Sequence, residues 1–336
     1  MSMLEQLAEA YPKSPEIARL KAALLFSGVQ YSPGLAEAAD WAFPNYMPYQ
    51  LPPGEPSFRG KRQVQLPYLL RLQGDTQARL RVKPTSPFSI RTEGEGFAVY
   101  EGENRVIATS FEGRQPWTEL LTADGTPMKA TGLSQHGEML VMNIAPGCEY
   151  FVVPTDGGGT RNMSCTFCLY GLPDKRMEPL GQSLYEIDLP ESTVHRVIEA
   201  CSHPSTEASQ IYLVGGSMLD MDDEGERFVR MAEALAKAGL TERYYVAVGS
   251  GALPRKHMER LKALGVRGVC FNLEVWDPVQ FERVCPGKAS IVGRERWIQA
   301  LLEAVEVFGP NNVMSAFVGG AELDGEGAFE TAEQAL

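Results

Sequence analysis

Residues 210–248 read QIYLVGGSMLDMDDEGERFVRMAEALAKAGLTERYYVAV. Gln210 to Val214 is a short apolar run of the kind that forms a buried strand. Asp223 to Ala238 is an amphipathic helix, and Gly239 ends it. Tyr244 to Val248 is strand again. The stretch is therefore one strand–helix–strand unit, and its first strand stops on Gly215-Gly216-Ser217.

The unit repeats on both sides. Tyr150 to Val153 reads as a short apolar first strand, and Ser192 to Cys201 as helix. Beyond residue 248, Pro254 to Leu264 is a helix closed by Gly265, and Val266 to Val275 a strand. Gly293 to Phe308 is a helix closed by Gly309, Asn312 to Val318 a strand, and a last helix begins near Glu326. Alternation at this spacing implies a parallel sheet, either open and doubly wound or a barrel. In both, chemistry gathers at the carboxyl ends of the strands. Cys165 and Cys168, Gly215-Gly216-Ser217, Gly249-Ser250, Asn272 with Glu274, and Gly319-Gly320 all fall at such ends. The expected class is α/β, a partial (β/α) barrel over residues 145–336. A full or three-quarter barrel needs at least one more strand, so the chain is expected to lack its C-terminal end.

Residues 1–144 read differently, as a smaller β-rich accessory domain with N-terminal helices. Ser14-Pro15-Glu16 is a helix start, and the helix should run through Ala23 to near Gly28. Leu35 to Phe43 is a second helical stretch. Residues 44–63 hold five prolines and read as an irregular connector. Ala78 to Val82 alternates apolar and charged residues as a strand does. Gly96 to Tyr100 and Arg105 to Thr109 flank a hairpin turn, and Glu138 to Asn143 is a further strand.

The 336 residues are 44% hydrophobic and 22% charged, as in soluble globular proteins. No apolar run reaches the ~18 residues of a membrane span. The N-terminus shows no basic region followed by an apolar core, so no secretory signal is visible. A net charge of −12 makes nucleic acid a poor default partner. Six cysteines without secretory features suit reduced thiols in a cytoplasm. Several of these thiols then need another explanation, and metal binding comes first.

Cys165-Thr166-Phe167-Cys168 places two thiols where they can share one inorganic group. The plain structural reading is a packed pair. A zinc ribbon needs a second such pair or two histidines, and the four histidines lack the spacing. A thioredoxin-like redox pair would start a helix in another fold. For a third ligand Cys148 is nearest, because the Gly157-Gly158-Gly159 loop can fold the chain back. Cys285 is a reserve, while Cys201 and Cys270 read as core. Three thiolates on a four-iron cluster leave one iron open.

On these residues the chain resembles the radical S-adenosylmethionine (SAM) superfamily, over about residues 145–336. Cys165-Thr166-Phe167-Cys168 is similar to the end of that family's three-cysteine signature. Gly215-Gly216-Ser217 resembles its Gly-Gly-Glu motif, which holds the methionyl amino group. Asn272 and Glu274 stand where the family's polar pair handles the ribose and amino-acid end, and Ser250 ends the strand between. Ser315 to Glu322, with Phe317 and Gly319, resembles the Gly-x-Ile-x-Gly-x-x-Glu segment beside the adenine. The stretch Leu264 to Glu322 has the flavour of enzymes similar to biotin synthase.

The resemblance implies a [4Fe–4S] cluster on Cys148, Cys165 and Cys168. It implies SAM cleaved reductively to a 5′-deoxyadenosyl radical, which abstracts hydrogen from a small-molecule or peptide substrate. It also implies an electron donor such as flavodoxin or ferredoxin. Phe167 and Phe317 would pack on adenine, Glu274 would bond ribose or amine, and Arg294 would pair with the carboxylate. The departures are specific. Residue 161 is arginine where the family's first cysteine stands, and Ser217 replaces an acid. Ser315 and Phe317 replace glycine and isoleucine.

Each residue also has a plainer reading. Glycine pairs end ordinary strands, Gly249-Ser250-Gly251 is also a tight turn, and Asn272 and Glu274 are structural if paired. Lys288 reads as a loop residue or a substrate contact, and Trp276 and Trp297 as packing. A cluster-free barrel enzyme, or a binding module for a phosphate or sugar, is the alternative function.

Overall fold

The computed structural model describes residues 1–38, 46–67, 69–111, 115–145, 147–168, 190–318 and 321. The chain divides into two compact units, Met1–Thr118 and Glu119–Leu336. The change read at residue 144 thus comes earlier in the chain.

The first unit opens with α1 (Met3–Ala10), which Ser2 and Glu5 start as a reciprocal capping box. Then come α2 (Glu16–Ser27) and α3 (Pro33–Ala38). Strands β1 (Tyr46–Gln50) and β2 (Gln63–Pro67) pair antiparallel. β3 (Leu69–Arg71), β4 (Gln77–Arg79), β5 (Phe88–Glu93), β6 (Gly96–Glu101) and β7 (Asn104–Phe111) form an antiparallel sheet in the order β4-β3-β7-β6-β5. Phe88 and Ile90 alternate inward on β5 and join Leu20, Leu24, Leu35 and Leu66 in the core. The β6–β7 hairpin is the one expected, with its strands closing at Glu101 and Asn104. The proline-rich connector contains β1, and α3 ends at Ala38 within the described residues. The rest of the helical stretch read to Phe43 lies outside them.

In the second unit, β8 (Leu133–His136) and β9 (Met139–Ala145) form an antiparallel hairpin. The small strands β10 (Val153–Pro154) and β11 (Thr160–Arg161) follow, then α4 (Glu191–Ser202), β12 (Gln210–Gly215) and α5 (Met221–Lys237). Next are α6 (Leu240–Arg243), β13 (Tyr245–Ser250), α7 (Arg255–Ala263) and β14 (Gly268–Phe271). The described part closes with α8 (Pro278–Val284), α9 (Arg294–Phe308) and β15 (Val313–Met314). The sheet order is β15-β14-β13-β12-β9-β8, and all pairings except β8–β9 are parallel.

The expected α/β class therefore holds, as a mixed and mainly parallel sheet. Ile211, Leu213, Val246 and Val248 are fully or almost fully buried on the central strands. α5 buries Phe228, Val229, Met231, Ala232 and Leu235. Asp220 starts that helix by accepting from the Asp222 and Asp223 amides, and it stops as read at Gly239, whose φ of 72° suits glycine.

Two readings are corrected. Tyr150 to Val153 is not the first parallel strand. Residues Glu149–Val152 make a 3₁₀ turn, and only Val153 enters the tiny β10. The first parallel strand is β9, the Glu138 to Asn143 run, which pairs with β12 from Met139 onward. A short apolar run has no period long enough to separate these alternatives. The last two strands are also shorter than read. β14 stops at Phe271, and past β15 pairing survives as one bridge between Glu274 and Phe317. The helix expected near Glu326 lies outside the described residues.

Candidate functional site

The carboxyl ends of β9, β12, β13 and β14 open on one cavity of about 250 Å³. Cys148 enters it three residues after β9 ends, so it follows a strand rather than starting one. The chain then makes the β10–β11 hairpin around the glycine triplet and returns. The Met163 amide donates to the Tyr150 carbonyl (2.6 Å), which brings Cys165, Phe167 and Cys168 to the same cavity as Cys148. The Cys168 amide closes a tight turn on the Cys165 carbonyl (3.0 Å). Thr166 donates to Val284 and Gly287 donates to Met163, so the cysteine loop is fastened to the end of α8.

Gly215, Gly216 and Ser217 form a second wall. A Cβ on Gly216 would stand 2.0 Å from the Gly147 carbonyl oxygen, so only glycine lets these two chain segments approach. The segments are then tied by the Glu149 amide, which donates to the Ser217 carbonyl (2.9 Å). The Glu149 carboxylate accepts from the Leu219 amide (2.7 Å). Glu224 accepts from the Met218 amide (2.8 Å) and, from the next strand's loop, the Gly251 amide (2.5 Å). Burial pushes the Glu224 carboxyl up to about 7, against those two hydrogen bonds.

Ser250, Asn272 and Glu274 complete the predicted set on the cavity. The Asn272 side-chain oxygen accepts from the Cys270 thiol (2.9 Å) and the Ala316 amide (3.1 Å). Glu274 sits at φ 74°, uncommon for a residue with a side chain, and pairs with Lys288 at 3.3 Å. Both members of the polar pair thus have structural partners as well as a place on the cavity.

Lys288 differs from its reading as a loop residue. Only 7% exposed, it donates to the Asn272 carbonyl (2.5 Å) and lies over the Trp297 ring at 4.5 Å. Trp297 also lines the cavity, with its indole N–H buried and unpartnered in the structure. Glu149 and Glu224 were not singled out in the sequence, because their partners come from the crossing of elements distant along the chain. A carboxylate three residues into α5 looks like any first-turn acid.

Two predicted residues are not gathered. Arg294 does not line the cavity. It stacks on Trp276 at 4.7 Å and donates twice to the Trp276 carbonyl, which fastens the start of α9. Phe317 is 46% exposed, bridged to Glu274 by backbone, and also off the cavity wall. Gly319 lies outside the described residues.

The thiols differ electrically. Burial pushes Cys148 up to about 12, although the Tyr150 and Ser217 amides favour its thiolate. Cys165 is lowered, first by a hydrogen bond from Cys285 and then by the Lys288 charge. Cys285 is raised for the matching reason, as the donor that keeps its proton. Cys201 is core on α4, as read. Among the described residues no three His, Cys, Asp or Glu side chains stand together closely enough to hold one metal ion. A tetrahedral zinc takes ligands gathered on one atom, whereas a four-iron cube offers separate irons to separate thiolates. Four cysteines line the cavity, Cys148, Cys165, Cys168 and also Cys270, which the sequence placed in the core.

No family model matches the chain. Bacteriochlorophyllide c C-7(1)-hydroxylase of Chlorobaculum limnaeum is 21% identical over 262 residues, which cover 73% of this chain and 61% of that protein. Among solved structures, methylornithine synthase (PylB) aligns with 65% of this chain and 58% of its own, at 14% identity and a TM-score of 0.38. The chain thus spans less than two thirds of either protein's length. With its cysteine loop and glycine-ended strand, and with this match in sequence, the chain resembles the radical S-adenosylmethionine superfamily.

Proposed function

We propose that this chain is a radical SAM enzyme whose strand-end cavity holds a [4Fe–4S] cluster on Cys148, Cys165 and Cys168, with SAM beside it. The supporting observation is that Cys148, Cys165 and Cys168, on either side of the β10–β11 hairpin, line the same cavity as Gly215-Gly216-Ser217, with Cys270 as a fourth cysteine on its wall. When bound and reduced, the cluster supplies the electron that cleaves SAM to a 5′-deoxyadenosyl radical, which abstracts hydrogen from a small-molecule or peptide substrate.

The chain's own residues position and enclose. Gly216 brings the backbone close, and the Ser217 hydroxyl accepts from the ligand's ammonium. Phe167 offers a ring to adenine at the cavity mouth. Glu274, held by Lys288, bonds ribose or amine. The parallel sheet is read as part of a barrel, and a small electron-transfer protein such as flavodoxin or ferredoxin as the reductant. Reduced thiols and a cluster suit the cytoplasm. No helix among the described residues is long and apolar enough to cross a membrane.

Anaerobic reconstitution with iron and sulfide tests this directly. The expected product is brown protein with about four irons per chain, and iron content falls in C148S, C165S and C168S but not in C201S. Dithionite and SAM should then yield 5′-deoxyadenosine. Colourless protein carrying no iron, or one zinc, would return the chain to a cluster-free barrel enzyme or a phosphate- or sugar-binding module.

A further inference from the structure

Glu224 is 1% exposed, and its two oxygens go to two different loops. Oε2 takes the Met218 amide after β12, and Oε1 takes the Gly251 amide after β13. Each loop adjoins a wall of the cavity, Gly215 to Ser217 on one side and Gly249-Ser250 on the other. A buried carboxylate is costly unless its hydrogen bonds are satisfied. Helix initiation does not require this one, because Asp220 already caps α5 and the first turn also holds Asp222 and Asp223. Glu149 takes the next amide, Leu219, so successive amides after Ser217 are tied to two separate carboxylates.

We propose that Glu224 is the positioning residue that sets the spacing of the two strand-end loops gripping the ligand, an anchoring role taken by an acid from α5 where position 217 carries only a serine. This rests on the reading of the cavity as a SAM site. Glu224 touches the loop backbones and acts on the ligand through them.

The test compares E224Q and E224D with D223N, which removes a first-turn acid that bridges nothing between the loops. Amide hydrogen exchange is followed at Met218 and Gly251, and SAM affinity by equilibrium dialysis on the reconstituted protein. In E224Q one oxygen becomes an amide nitrogen that cannot accept. Exchange at one or both amides should therefore rise about tenfold, with Ile211 and Leu213 unchanged. SAM binding should weaken about tenfold, as a rise in KM for SAM with a much smaller change in kcat. E224D, too short to span both loops, should lose protection at one amide and keep the other. D223N should match the wild type at both.

Unchanged exchange in E224Q would overturn the proposal. So would equal acceleration in D223N, or faster exchange with SAM affinity untouched. If the wild type binds no SAM, the reading of the site fails, and the exchange data alone then decide whether Glu224 holds the loops.

Discussion

Gly216 leaves no room for a methyl group. The atoms in the way, Gly147 oxygen and carbon at 2.0 and 2.5 Å, are backbone and cannot rotate aside. G216A must therefore push the start of the cysteine loop away from β12. We expect a stability loss of about 1–3 kcal/mol by urea denaturation, with reduced iron after reconstitution. Glu224 gives a second test. Burial raises its pKa from 4.5 to about 7, so the folded state binds this proton more tightly than the unfolded chain does. The stability it contributes is complete below about pH 4.5 and lost as pH rises through about 7. E224Q lacks this loss. Relative to wild type it should gain up to about 3 kcal/mol between about pH 5 and pH 8, read from urea midpoints at both. Cysteines 165 and 168 and the Gly-Gly-Ser turn were legible because their chemistry is written in adjacent positions. Glu224 and the burial of Lys288 were not, since Gly251 lies 27 residues from Glu224 and Glu274 lies 14 from Lys288. The Trp276 partner of Arg294 was not legible, because a helix-start arginine has no preferred partner until the fold supplies one.

At the scale of the element, α5 links the βαβ pattern to the cavity, since its first turn carries the acid that bridges two loops. Its start depends on Asp220, which accepts from the amides of Asp222 (2.7 Å) and Asp223 (3.3 Å). D220A should cost about 1 kcal/mol in urea denaturation. The helices of the second unit were readable from their apolar spacing and terminal glycines. The strands were readable where several apolar residues run together, as in β12 and β13. Reading failed where a short run served a turn, as at Tyr150, and where β9 pairs antiparallel on one side and parallel on the other. Register and direction of pairing belong to two strands at once, so neither strand's residues state them alone.

For the whole molecule, charge is the clearest global property. A chain of net charge −12 repels phosphate backbones. It should pass a heparin or DNA column unretained at about 0.1 M salt, where a nucleic-acid-binding protein would be held. Retention that falls steeply with salt would reveal a local basic patch and reopen that class of partner. The sequence pattern was read as changing at residue 144, and the two compact units divide between Thr118 and Glu119.

The β10–β11 hairpin carries one more consequence. Its tip, residues 155–159, is exposed, while its stem is pinned where Met163 meets Tyr150. The interval separating Cys148 from the later pair is thus a ribbon whose length is free to drift. Adding or trimming residues at the apex would leave every sulfur in place, so a search that counts positions along the chain will pass over proteins wired in this fashion, and one that compares sulfur positions in space will find them.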